Sequence, residues 1–170
     1  DFHDQKKLKD LLLALNKIKK ENKADIPLLL KVSPDIKDNH ISEIVDVATK
    51  NDIAAIILTN TTNGNRDNLR SEVKKEEGGL SGEPLQQIST NMIKKFYKQL
   101  NGKIPIIGVG GVNSGKSAYE KIIAGASLLQ LYTSFVYRGP SIAKDIKKEL
   151  IQILKTEGLS NIKEAIGKGA

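Results

Sequence analysis

The stretch Ile104-Pro-Ile-Ile-Gly-Val-Gly-Gly-Val-Asn-Ser-Gly115 runs an apolar strand into a glycine-rich turn. A second stretch, Ala124-Gly-Ala-Ser-Leu-Leu-Gln-Leu-Tyr-Thr133, repeats the arrangement and ends on hydroxyl side chains. Glycine lets backbone approach a ligand closely, and free N–H groups where a strand ends and a helix begins bind phosphate. Two such ends in succession predict adjacent βα units that share a phosphate-bearing cofactor.

Outward from these ends, one pattern recurs four times along the chain. A helix over Gln5 to Lys20 precedes a strand at Pro27 to Val32, and a helix over His40 to Asn51 precedes a strand at Ile53 to Thr59. Pro84 suits a first helical position, so Leu85 to Leu100 reads as helix and leads into a strand at Ile104 to Gly108. Gly115 to Ala124 reads as helix with Ser114 as N-cap, followed by a strand at Ser127 to Leu131. Helices over Ser141 to Thr156 and Asn161 to Ile166 close the pattern. Strand runs apolar on both faces predict parallel strands covered on each side. Four units make half a barrel or a small doubly wound sheet.

A complete (β/α)8 TIM barrel takes about 250 residues, and this chain has 170. Barrel enzymes often bind phosphate with the loops after strands seven and eight. The expectation is therefore an α/β chain that supplies strands five to eight and their helices. Residues 1–170 would form the C-terminal half of one barrel domain, with the first half preceding Asp1.

Composition narrows the chemistry. With 39% hydrophobic residues the chain can bury a core, and it has no continuous apolar run of roughly 18 residues to suggest a membrane span. No secretory signal is visible. Zero Cys excludes disulfides, thiolate catalysis and Cys-ligated metal within the segment, and His3 and His40 are too isolated to suggest a metal cluster. The net charge of +7, from 27 basic and 20 acidic residues, raises a nucleic-acid reading. However, Lys6, Lys7, Lys9, Lys17, Lys19 and Lys20 interleave with Leu8, Leu12, Leu15 and Ile18 at helical spacing, the pattern of a solvated helix face. Aromatics make up only 4% and do not alternate with the basic residues, so no nucleic-acid partner is expected.

Two further features compete for function. The loop Asn60 to Glu83 is long for a βα connection and carries Gly78-Gly-Leu-Ser-Gly82, which could bring backbone to a ligand or be a flexible surface excursion. Gly110 to Ser117 satisfies the P-loop pattern G-x-x-x-x-G-K-[ST] between a strand and a helix, so nucleotide hydrolysis is an alternative. Against it, no strand run ends in the Asp that supports magnesium. Ile53 to Leu58 leads to Thr59-Asn60, Ser127 to Leu131 leads to Tyr132-Thr133, and the nearest carboxylate is Asp35 after Ser33-Pro34. A dinucleotide fingerprint at Gly108-x-Gly110 lacks its third glycine.

Five ordered motifs carry a resemblance: Leu30-Lys-Val-Ser-Pro-Asp35, Leu58-Thr-Asn-Thr-Thr62, Gly78-Gly-Leu-Ser-Gly-Glu-Pro84, Ile104 to Gly111, and Gln130-Leu-Tyr-Thr133. Together they resemble the C-terminal half of a dihydroorotate dehydrogenase, over essentially the whole chain. Asn60-Thr61-Thr62, Phe135-Val-Tyr-Arg-Gly-Pro140 and the tail Gly158 to Gly167 resemble class 2, the quinone-reducing, membrane-associated branch, more than the soluble class 1 enzymes. Class 1 remains an alternative.

The resemblance implies oxidation of dihydroorotate to orotate in pyrimidine biosynthesis, with a hydride passing to FMN and electrons to ubiquinone or another quinone. It implies a catalytic Ser base upstream of Asp1, and a membrane-binding segment also upstream. The home would be the cytoplasmic face of a bacterial inner membrane or the mitochondrial inner membrane. Lys31 is expected to stabilise charge on the flavin, and Thr59, Gly82, Gly111, Tyr132 and Thr133 to hold it and its phosphate. Asn60 and Thr61 are expected to hold the substrate. Chemically, Lys31 interrupts an apolar strand, where an ammonium needs an anionic or carbonyl partner to offset burial, and Asn60 offers both a donor and an acceptor. Lys31 as a snorkelling surface residue, and Asn60 and Thr61 as strand-ending caps, remain alternatives from the residues alone. A noncatalytic phosphate-binding half-barrel is a third reading of the chain. Lys116 is expected to be a helix-surface residue.

Overall fold

The computed structural model describes residues 4–64, 66–67 and 69–170; His3 lies outside them. The helices are α1 (Gln5–Glu21), α2 (Asn39–Lys50), α3 (Gln86–Leu100), α4 (Gly115–Ile123), α5 (Thr133–Arg138) and α6 (Ile142–Thr156). The strands are β1 (Leu28–Val32), β2 (Ile53–Leu58), β3 (Ile106–Val109) and β4 (Ala126–Gln130). Local chemistry sets many of the boundaries. The Asp4 carboxylate accepts the Lys7 N–H at 2.9 Å to start α1, and Asn101 ends α3 in the left-handed region.

Several ends differ from the sequence expectation. Pro84 lies in a 3-10 turn, Glu83–Leu85, and α3 begins only at Gln86. The Leu85 N–H bonds the Gly82 carbonyl at 3.0 Å, the tighter ring common at helix starts. β3 starts at Ile106 because Pro105 has no N–H to donate, although its carbonyl accepts from Ile56 at 3.1 Å. The segment expected as helix at Asn161 to Ile166 is a 3-10 turn, Ile162–Ala165, and the N–H groups of Gly167 and Gly169 that follow bond the carbonyls of Ile122 and Ile123.

The four strands are parallel in the order β1-β2-β3-β4. A doubly wound sheet reverses its strand order at a switch point, and no reversal occurs here. Leu28, Leu30, Val32, Ile56, Leu58, Ile106 and Ala126 join one core with Leu8, Leu12, Ile44, Val47, Ile93 and Phe96 of the helices. Alternation turns Leu29 and Lys31 to the other face, beside Ala55 and Ile57 of β2. There Leu29 is 43% and Leu128 63% exposed. Helices thus cover one face only, contrary to the expectation of cover on both. In a barrel wall the second apolar face packs against side chains of other strands rather than helices. Apolar residues on both faces of a strand therefore fit either layout, and strand order distinguishes them.

Candidate active site

A cleft of about 510 Å³ opens where the four strands end, within the usual range for small-molecule sites. β1 contributes Lys31, and the turn after β2 contributes Thr59, Asn60 and Thr61. Gly110 and Gly111 follow β3, and Leu131, Tyr132 and Thr133 follow β4. Gly82 enters from the long loop. All eight residues singled out from the sequence therefore line one space.

Backbone bonds fix the floor. The Thr59 N–H donates to the Val109 carbonyl at 3.1 Å and the Asn60 N–H to the Val32 carbonyl at 2.8 Å, so the end of β2 is tied to both neighbours. Thr59 is buried, while Asn60 and Thr61 are exposed to the cleft. Asn60 Oδ1 accepts the Thr61 N–H at 3.0 Å, which holds the amide plane and leaves its NH2 as the outward donor. Lys31 is exposed, and no carboxylate is paired with it among the described residues.

The long loop folds back onto the site. Thr62 and Leu80 exchange N–H bonds at 3.1 and 2.7 Å. The Asp35 carboxylate, at the β1 end, accepts the Thr62 hydroxyl and the Asn63 N–H, the latter at 2.8 Å. Asp35 thus anchors the loop, a role that its position near a strand end did not reveal. Ser81 and Thr133 hydroxyls lie 2.8 Å apart and join the loop to the start of α5. Gly79 leaves room for Thr61, whose Oγ1 would lie 1.9 Å from an added side-chain carbon.

The P-loop alternative requires free N–H groups around Gly110 to Ser117. The Asn113 and Ser114 N–H groups both donate to Ser117 Oγ at 3.0 Å. The Ser117 N–H donates to Ser114 Oγ at 3.2 Å, and the Gly115 N–H to the Glu149 carboxylate. A carboxylate already occupies the helix start, Ser117 is buried in a capping box, and Lys116 is exposed and does not line the cleft. The match to the pattern is a helix cap.

The family model described as dihydroorotate dehydrogenase matches residues 1–154. The chain belongs to the dihydroorotate dehydrogenase family. The dihydroorotate dehydrogenase (quinone) of Christiangramia forsetii is 44% identical over 152 residues, covering 89% of this chain and 44% of that protein. The mitochondrial dihydroorotate dehydrogenase (quinone) of Arabidopsis thaliana is 43% identical over 168 residues, covering 96% of this chain and 36% of that protein. The crystal structure of the Eimeria tenella enzyme in complex with ferulenol matches with a TM-score of 0.91 at 36% identity, covering 98% of this chain and 49% of that one. The chain spans about half the length, or less, of these relatives.

Beneath the cleft of this dihydroorotate dehydrogenase family member lies a residue the sequence reading missed. Lys121 of α4 is completely buried, and its ammonium donates to Gln86 O at 3.2 Å, Ser89 Oγ at 3.0 Å and Thr90 Oγ1 at 3.1 Å. Burial pushes its pKa down from 10.5 to about 8, partly opposed by the charge of Glu120. The available signal was its place among Ser117, Ala118 and Ile122, all buried on the same helix face.

Proposed function

We propose that this chain is the C-terminal half of an FMN-binding (β/α)8 barrel, strands five to eight, in a protein that oxidises dihydroorotate to orotate and passes electrons to a quinone. One observation carries the reading: the residues assigned by motif to flavin and to substrate converge on a single cleft at the strand ends. The relatives' names supply the quinone, since those compared are quinone enzymes.

The side chains suit these ligands. A bound flavin supplies a hydride acceptor at N5. Lys31 brings an ammonium, unpaired by any carboxylate among the described residues, to offset the negative charge that hydride transfer creates. Asn60 donates from its NH2 to a carbonyl or carboxylate of the substrate, and the Thr61 hydroxyl adds a second polar contact. Gly82, Gly111, Tyr132 and Thr133 form the other wall. Thr59, buried at the end of β2, lines the same cleft and contacts the flavin.

On this reading the Ser that removes the carbon-bound proton belongs to a segment preceding Asp1. So does the membrane-binding segment, at either a bacterial inner membrane or the mitochondrial inner membrane. No helix among the described residues is long and apolar enough to cross a membrane.

Electron-acceptor choice tests the proposal. The complete protein, saturated with dihydroorotate, should reduce a ubiquinone analogue faster than fumarate or NAD. The reverse ranking would move it to class 1, and no oxidation with any of the three would overturn the activity.

A further inference from the structure

We propose that Lys121 is a positioning residue for the cleft, holding the Thr59 and Gly111 backbone in place through Ser89 and Gln86. The inference rests on the functional reading above. Its basis is a continuous set of contacts. Lys121 Nζ donates to Ser89 Oγ at 3.0 Å, and Ser89 Oγ donates to the carbonyl of Val109, with the Leu58 carbonyl also within 3.3 Å. The same Val109 carbonyl accepts the Thr59 N–H at 3.1 Å. A buried cation is thus two hydrogen bonds from the Val109 carbonyl that ties the ends of β2 and β3.

The second route runs through Gln86, whose carbonyl accepts from Lys121 at 3.2 Å. Gln86 backs directly onto Gly111, where an added side-chain carbon would lie 2.7 Å from Gln86 Cα. All three ammonium protons are engaged, and every acceptor is neutral. Burying a charge without a carboxylate partner is costly. An apolar side chain of similar length would fill the space without that cost.

Removal should not orphan the acceptors. Ser89 retains the Val109 carbonyl, and Thr90 Oγ1 still donates to the Gln86 carbonyl at 2.8 Å. Lys121→Met should therefore leave the fold intact, while Ser89, no longer held by the ammonium, can turn its hydroxyl between the Val109 and Leu58 carbonyls and loosen the strand ends. Reduced affinity without reduced stability is a combination that a merely structural lysine would not produce.

The test uses the complete flavin-bound protein with Lys121→Met, Ser89→Ala and both together. Orotate titration of the flavin spectrum should show about tenfold weaker binding in Lys121→Met, equivalent to ~1.4 kcal/mol, with an unchanged or higher melting temperature. The Thr59 amide should exchange with deuterium faster, and the double variant should bind orotate no more weakly than Ser89→Ala alone. Wild-type orotate affinity together with wild-type Thr59 exchange in Lys121→Met overturns the proposal, as does full additivity in the double variant. If Lys121→Met does not fold, Ser89→Ala decides: unchanged orotate affinity and Thr59 exchange overturn the relay. A wild-type protein that ignores orotate overturns the functional reading, while Thr59 exchange, which needs no ligand, still decides the positioning role.

Discussion

A side-chain carbon on Gly111 would lie 2.4 Å from Cβ of Gln86 and 2.9 Å from its backbone nitrogen. Between the cleft and α3 the wall at this point is bare peptide. Gly111 also has φ of +70°, which a β-branched residue adopts only under strain. Gly111→Val should therefore lower the melting temperature as well as FMN content, because it must push the turn away from α3. A melting curve and the flavin absorbance of the purified protein check this. Normal values of both would contradict it.

Lys31→Ala should act on chemistry rather than folding, since Lys31 is exposed and pairs with no carboxylate among the described residues. Loss of a preorganised charge-stabilising group should slow flavin reduction by at least about two orders of magnitude. Stopped-flow absorbance with dihydroorotate measures it. A rate near wild type with flavin bound would remove Lys31 from the mechanism.

Asn60→Ala should weaken orotate binding by roughly 1 to 3 kcal/mol, the cost of leaving a polar group unpaired. Flavin occupancy should hold, because the backbone of residue 60 stays fixed to Val32 at 2.8 Å. Titration with orotate separates the two effects, and unchanged affinity would count against the assignment.

At the P-loop match, the neighbours Lys116 and Ser117 should behave oppositely. Lys116→Ala alters an exposed side chain outside the cleft and should leave dihydroorotate oxidation unchanged. Ser117→Ala removes the acceptor of two N–H groups and should cost about 1 kcal/mol, as lost caps do. ATP turnover abolished by Lys116→Ala would revive the hydrolase reading.

Lys121 should leave a signature in alkaline stability. Its folded-state pKa, about 8, lies below the unfolded value of 10.5. The unfolded state then binds more protons between these values, so this group's contribution to stability rises from pH 8 towards pH 10.5 and is smallest below pH 8. Denaturant melts of wild type and Lys121→Met across that window isolate the effect. A difference between the two that does not vary with pH would place the titration elsewhere.

Much of this was legible in the residues. The spacing of apolar runs located four strands and most helices, and five short motifs assembled a cleft from distant parts of the chain. What escaped depended on three-dimensional neighbours. Lys121 falls on the apolar face of its helix, but its acceptors Ser89 and Thr90 belong to another helix that only the fold sets against it. Asp35 stands in the sequence only as the carboxylate nearest a strand end, and its partners are Thr62 and Asn63, which only the folded loop brings near. The helix Thr133–Arg138 is too short for a periodic signal and has no side-chain cap. The motif around Gly111 points to a ligand and gives no sign that Gln86 of α3 also crowds it.

Because the cleft takes a wall from the end of every strand, its occupancy is thermodynamically linked to the whole sheet. A molecule that fits there binds only when four separate βα units are in register, so partial unfolding of any one forfeits the binding energy. At about a hundred times its dissociation constant, a ligand adds roughly 2.7 kcal/mol to the folded state. That increment is shared with β1 and β4, which gain resistance to unfolding from contacts made only at their tips.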